Sequence, residues 1–322
     1  MKAVVIDRYG GPDVVQIRDI PVPEIGPDQV LVRVATAGVN PVDWKIREGY
    51  LSGVFPSELP IILGWEMAGT IEKLGEEVED YKPGDRVYGY IYKDVIQQGT
   101  FAGFAAVDSD TLTAMPVNLD FSEAATIPLT SLTAWQTLID FAGLKRNESV
   151  FIAAGAGGVG GFAIQIAKYA GARVCATASE HNHDYLRSLG VDVAIDYHYE
   201  DISARIHEFV PEGVDVVLDC TGSEDVEVNF NYVRKGTGRV VTINGLPYTL
   251  PALQACAKAH DVKADIVFVK ADGAGLKKIT GLIEQELLKP PVYEEFPLDQ
   301  ATAALARSQE GHIRGKLVLR IS

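Results

Sequence analysis

Cysteine and histidine are scarce in this 322-residue chain, and both come late. The three cysteines are Cys175, Cys220 and Cys256, and the first of the six histidines is His181. Three thiols so widely spaced exclude a disulfide framework and read as reduced groups in a cytoplasmic protein. Positive charge is also short: 29 Lys and Arg face 44 Asp and Glu, a net charge of -15. Such a surface repels phosphate backbones and anionic headgroups, so nucleic acid and membranes are excluded as partners. No long apolar run is present. The most apolar stretch, Val150 to Ala167, is broken by glycines and lacks charged anchors, which fits a buried strand, turn and helix rather than a membrane span. The opening MKAVVIDRYGG meets charge and glycine too soon to hold a signal-peptide core. Repeats and low-complexity tracts are absent as well.

What is present changes character along the chain. Up to about residue 120, short alternating runs such as Gln29 to Ala35 are punctuated by Gly10-Gly11-Pro12, Pro27-Asp28 and Pro83-Gly84-Asp85, the pattern of a β-rich domain. After Phe121, continuous apolar strands at 149–153, 173–178, 214–219 and 238–244 alternate with helix-length segments. Strands buried on both faces and separated by helices predict a parallel sheet, and the fold class is therefore α/β. Further strands are expected at 264–269 and 316–321, around a helix over 276–288, with the last strand returning to the first domain.

One motif carries more chemistry than any other. Gly155-Ala156-Gly157-Gly158-Val159-Gly160 follows the strand Val150–Ala154 and opens the apolar-periodic segment from Gly161 to Tyr169. A dinucleotide site needs this arrangement: one glycine for the tight turn, one for close approach of backbone to pyrophosphate, one for helix packing on strand. The next strand ends at Thr177-Ala178-Ser179, followed by Glu180, His181 and Asn182. An NAD site would place a carboxylate here for the ribose. A hydroxyl at Ser179 leaves room for a 2′-phosphate and favours NADPH, the alternative being that Ser179 only caps the following helix while Glu180 serves as the acid. Cys220 and Thr221, then Asn244 and Gly245, end the fourth and fifth strands, where doubly wound sheets hold ligands. Lys316 is a further candidate for the pyrophosphate.

Five stretches in order give the chain a resemblance over its full length: Gly38 to Gly49 (GVNPVDWKIREG), Leu63 to Gly69, Pro83 to Val87, Ile127 to Trp135 and Ala154 to Gly160. The chain resembles the medium-chain dehydrogenase/reductase superfamily, in its zinc-free quinone and alkenal reductase branch. The resemblance implies a GroES-like β-rich catalytic domain over 1–122 and 264–322, and a Rossmann NADP-binding domain with a doubly wound parallel sheet over 123–263. It also implies a homodimer paired through the sheet edge.

Zinc-dependent relatives carry a cysteine near the position of Asn40 and a histidine between the equivalents of Gly64 and Glu66. Here those positions hold Asn40 and Trp65, and carboxylates such as Asp43 and Glu66 alone would make an unusual zinc site. Glu66 could be a relic ligand or a structural acid paired with a base. Without metal, the easier hydride acceptor is a carbon conjugated to a carbonyl, whose charge spreads into an enolate. The resemblance then implies an NADPH-dependent reductase of a small-molecule quinone or enone. Asn40 and Lys45 are candidate oxyanion donors, Tyr50 is an added hydroxyl, and Trp44 and Trp65 are possible pocket walls. Thr133 would lie under the nicotinamide, with Thr130 as a neighbour. Against these stand plainer readings: Asn40 as a turn residue before Pro41, Lys45 as a solvated side chain, the threonines as a cap and a core hydroxyl. Two other functions stay open, an NADPH-binding structural protein and an enoyl-thioester reductase.

Overall fold

The structure is a computed structural model that describes residues 1–91, 93–222 and 227–322. The chain forms two compact units, Met1–Leu132 with Lys270–Ser322, and Thr133–Val269.

The first unit is β-rich. Its larger sheet runs in the order Tyr293–Pro297, Lys316–Arg320, Gln29–Val39, Glu66–Leu74, Arg86–Tyr90, Leu112–Ala114, and Phe104–Asp108 also pairs with Gln29–Val39. A small sheet joins Val15–Asp19, Lys2–Ile6 and Ile61–Ile62. The expected return of the chain end is observed: Leu317 to Arg320 pair antiparallel with Val39 to Thr36. Alternating apolar residues of Gln29–Val39 and Glu66–Leu74 put Val30, Val32, Val34, Met67, Ala68 and Ile71 into the core. The helix Pro41–Glu48 follows directly, with Pro41 at its first turn and Gly49 ending it at φ 87°.

The second unit has six parallel strands in the order Val193–Ile195, Arg173–Thr177, Ser149–Ile152, Val216–Asp219, Arg239–Thr242, Lys263–Ile266. In sequence order this is 3-2-1-4-5-6, the doubly wound arrangement. The four inner strands are almost wholly buried and the sheet is flanked by Gly158–Tyr169, Ile202–Phe209 and Leu250–Ala259, which explains their unbroken apolar character.

The unit boundaries differ from the expected division. The strand expected at 264–269 spans Lys263–Ile266 and pairs in parallel with Arg239–Thr242, so the second unit runs to Val269. At the other end, Phe121–Ala125 packs with the first unit, which extends to Leu132. The helix expected over 276–288 spans Gly273–Glu284, because the Asp272 carboxylate accepts the Gly275 N–H at 2.8 Å and caps the chain three residues early. None of the helices among the described residues is long and apolar enough to cross a membrane.

Candidate functional site

The candidate nucleotide-binding loop belongs to the second unit. Gly157 is the N-cap of the helix Gly158–Tyr169 and offers no side chain to its first turn, so the N–H groups at Gly158, Val159 and Gly160 are left for an anion. A Cβ on Gly160 would collide with the Ala154 carbonyl, and one on Gly155 would lie 2.8 Å from the Ala176 Cβ. These glycines bring helix and strand together, and the loop fits a pyrophosphate. Ala154 takes a left-handed φ of 57° to make the turn.

At the end of the neighbouring strand, Ser179 is half-buried. Its hydroxyl does not cap the following helix. Instead Ser179 Oγ donates to the Tyr197 hydroxyl at 3.1 Å and lies 3.4 Å from His198 Nε2. Asn182 is buried, and its amide donates to His181 Nε2 at 3.2 Å. Tyr197 and His198 escaped the sequence reading because they follow a different strand. The parallel pairing of Arg173–Thr177 with Val193–Ile195 brings both strand ends together.

The two later strand ends are braced by Asp219. Its Oδ1 accepts the Thr221 N–H at 2.8 Å, the Thr221 hydroxyl at 2.6 Å and the Gly222 N–H at 3.2 Å. The Thr221 hydroxyl therefore points its proton inward rather than to a ligand, which corrects the expectation for that side chain. Asn244 Nδ2 donates to the Cys220 carbonyl at 2.5 Å, tying the two turns together. Burial beside Asp219 pushes the Cys220 thiol well above the ordinary range, so it is inert as a thiolate. A Cβ on Gly245 would lie 2.6 Å from the Ile266 Cδ1, which accounts for glycine there.

The residues proposed for the acceptor belong to the first unit, which holds a buried ion pair. Lys316 Nζ lies 2.6 Å from Glu66 Oε1, with side chains 5% and 0% exposed. The same ammonium donates to Asn40 Oδ1 at 2.6 Å and to the Val39 carbonyl at 3.0 Å, so all three of its protons are used. Asn40 Nδ2 donates to Glu66 Oε1 at 2.8 Å, and Glu66 Oε2 accepts the Leu129 N–H at 2.7 Å.

Two expectations are corrected. Lys316 cannot serve a pyrophosphate, because its charge is spent on Glu66. Asn40 is buried and its amide bridges Glu66 and Lys316, so it is scaffold rather than an oxyanion donor. Glu66 pairs with a base, Lys316, and also accepts hydrogen bonds from Asn40 and Leu129, so it serves both as a structural acid and as a buried hydrogen-bonding group. Asp43 completes the cluster: its oxygens accept the Asn40 N–H at 2.7 Å and the Gly64 N–H at 3.1 Å. Burial raises the Asp43 carboxyl to about 7, opposed by these N–H groups and by Lys316. The donor set does not fit zinc. Glu66 is already neutralised by an ammonium, and among the described residues no group of His, Cys, Asp and Glu is placed to hold a metal ion.

Lys45 and Tyr50 flank Trp44. Lys45 Nζ is 5.8 Å from the centre of the Trp44 ring, and Tyr50 meets that ring edge-on at 5.9 Å. Burial holds the Lys45 ammonium below the usual lysine range, so the side chain is not simply solvated. Tyr50 is exposed. The next residue along the helix, Ile46, lines a small pocket with Ile61, Leu63, Trp65, Ile91 and Ile96, and Lys93 stands in its wall. Thr130 and Thr133 are buried in the helix Pro128–Trp135. The Thr130 hydroxyl donates to the Thr126 carbonyl at 2.8 Å, a core role that displaces it as a cofactor contact. The Thr133 carbonyl accepts the Thr137 hydroxyl at 2.6 Å.

A β-rich unit with a nucleotide-type parallel sheet defines a two-unit dehydrogenase or reductase, and comparison with known proteins gives the family. Residues 26–117 match the alcohol dehydrogenase GroES-like domain, and residues 189–319 match a zinc-binding dehydrogenase domain. The chain is 37% identical to an NADPH-dependent alkenal/one oxidoreductase of Arabidopsis thaliana, covering 99% of this chain and 79% of that protein. It is 34% identical to a 2-methylene-furan-3-one reductase of Solanum lycopersicum, with the same coverage. The solved quinone oxidoreductase of Coxiella burnetii superposes with a TM-score of 0.90 at 32% identity, covering 100% of this chain and 99% of the other. The chain belongs to the medium-chain dehydrogenase/reductase superfamily.

Removing the Lys316 ammonium would strand a buried carboxylate. Lys316→Met is expected to cost about 3–5 kcal/mol of stability in urea unfolding, and adding Glu66→Gln should restore part of that loss. A single variant as stable as the parent would contradict the pairing.

Proposed function

We propose that this protein is an NADPH-dependent reductase that transfers hydride to a quinone or an α,β-unsaturated carbonyl without a metal. The observation that carries the nucleotide part is the uncapped helix start at Gly157–Gly160, beside a strand end that presents Ser179 in place of an acid. NADPH supplies the hydride when bound. The chain's own contribution is to hold it: helix N–H groups for the pyrophosphate, Ser179 for the 2′-phosphate, and Asn182, the turns at Cys220 and Asn244-Gly245, and Thr133 for the rest of the cofactor. The alkenal, furanone and quinone named for the relatives all accept hydride at a carbon conjugated to a carbonyl, and this supports the same acceptor class here. The absence of cysteine and histidine before Cys175 supports the metal-free reading.

On the acceptor side, Lys45 is the donor we assign to the developing enolate oxygen, with Tyr50 as a second hydroxyl and Trp44 as the surface between them. Lys45→Met keeps the length and removes the charge. With a short alkenal it should lower kcat by about 100-fold while NADPH binding, followed by fluorescence titration, stays near the parent value. The parent should oxidise NADPH with alkenals, ring enones or benzoquinones and keep its activity in chelator. Inactivity on the whole panel would refute the assignment.

Cofactor choice is a separate test. Ser179→Asp should reverse the preference from NADPH to NADH, by repelling the 2′-phosphate and offering a carboxylate to the ribose. Equal affinities in the parent would count against the role of Ser179.

We also infer a cytoplasmic homodimer. Among the described residues Lys263–Ile266 is the edge of the six-stranded sheet and pairs on one side only, and that edge suits continuation across a two-fold axis. The three unbonded thiols support a reducing compartment. Light scattering at micromolar concentration should give twice 34.8 kDa, and the mass of a single chain would refute the dimer.

A further inference from the structure

The segments that meet at Ser179 have an unusual composition. Residues 178–183 and 196–200 contain no lysine and no arginine, yet they hold His181, His183 and His198, half of the chain's six histidines. A dianionic 2′-phosphate held in a chain of net charge -15 needs a cation, and here every candidate cation on the two segments is an imidazole. Two of the three are engaged locally: His181 Nε2 accepts from Asn182, and His183 Nε2 donates to the Ala178 carbonyl at 3.2 Å. His198 is placed differently. It is exposed, its Nε2 lies 3.4 Å from Ser179 Oγ, and its ring packs against Tyr197 with centroids 4.2 Å apart and planes tilted by 37°. Its backbone N–H donates to Asp196 Oδ1 at 2.9 Å, which fixes the turn that presents it.

Resting on the NADPH reading above, we propose that His198 is the titratable specificity residue of the cofactor site, so that the preference for NADPH over NADH weakens as pH rises. Imidazole exchanges its proton between about pH 5 and 8, and only the imidazolium adds a charge-assisted bond to the phosphate. The other ionisable groups on the two segments are Tyr197, Tyr199, Asp196, Glu180, Glu200, His181 and His183. Tyr199 lies with its ring 6.1 Å from that of His198. Tyr197 and Ser179 provide hydroxyls that bind phosphate at every pH, so part of the preference persists in alkali. NADH, which lacks the phosphate, gains nothing from protonation of His198.

The experiment is a fluorescence titration of NADPH and NADH against the full chain at pH 6 and pH 8.5, for the parent, His198→Gln and His198→Arg. In the parent, the ratio of Kd for NADH to Kd for NADPH should fall by about fivefold between the two pH values, the upper range for one exposed charge pair. His198→Arg should hold a high ratio at both. His198→Gln should lose the fall, since the ionisation of the phosphate itself is common to all three proteins and cancels in the comparison. Parent and His198→Gln following the same pH course would overturn the proposal. If the parent binds neither nucleotide, or prefers NADH at both pH values, the NADPH reading itself fails, and that is visible before any variant is made.

Discussion

The ion pair between Lys316 and Glu66 is the constraint on which the β-rich unit depends. Burying either charge alone would cost several kcal/mol, and their attraction offsets this only when every remaining donor and acceptor is matched. The match is complete on the Lys316 side, with Glu66, Asn40 and the Val39 carbonyl taking its three protons. It is nearly so on the acid side, where Asn40 and the Leu129 N–H join the ammonium. The consequences spread along the chain. The last strand must lie against Gln29–Val39 to deliver the lysine, the turn at Asn40 must hold its amide between two charges, and the helix from Pro128 starts where Glu66 takes its second N–H.

This network explains which parts of the site the sequence could disclose. The glycine loop from Gly155 to Gly160 was legible because its strand, turn and helix are contiguous, and Gly155 and Gly160 each answer a local steric demand. Lys316 and Glu66 are 250 residues apart. Nothing in the neighbourhood of either one names the other. The one available signal was indirect: an acid inside Leu63-Gly64-Trp65-Glu66, in a strand of apolar character, requires a partner, and a lysine in the last strand was the candidate. Sequence alone points Lys316 toward a phosphate, because nothing beside it marks it as buried.

The same division holds in the parallel sheet. Strand positions followed from continuous apolar runs, while the ends that depend on caps were displaced, as at Asp272, where a side-chain acceptor outweighs the poor helix propensity of two glycines. Ser179 was found because it stands one step beyond a recognisable strand. Tyr197 and His198 stand beyond the next strand, and only the pairing of Cys175, Ala176 and Thr177 with Val193, Ala194 and Ile195 makes them neighbours of Ser179. A strand order of 3-2-1-4-5-6 implies that adjacency, so once the doubly wound fold is accepted, both strand ends should be read as one corner of the nucleotide site.

The chemistry left to the acceptor side follows from what the scaffold has consumed. Asn40, Asp43, Glu66 and Lys316 neutralise one another inside the unit, and the hydroxyl of Thr130 is spent on its own helix. These polar groups are thus turned inward as structure. Lys45 and Tyr50 both stand beside Trp44, and Lys45 is the donor proposed for the acceptor oxygen. A lysine with a lowered pKa against an aromatic face is a donor whose charge is poorly hydrated, so it gains most from a negative oxygen that forms beside it. A simple ketone would demand full polarisation before hydride could add, which one such donor supplies poorly. A quinone or an enone already spreads the arriving charge through conjugation and needs only a modest stabilisation at one oxygen. The loss of metal ligands and the inward turn of the polar cluster therefore narrow the proposed chemistry in the same direction, toward acceptors that are activated before they bind.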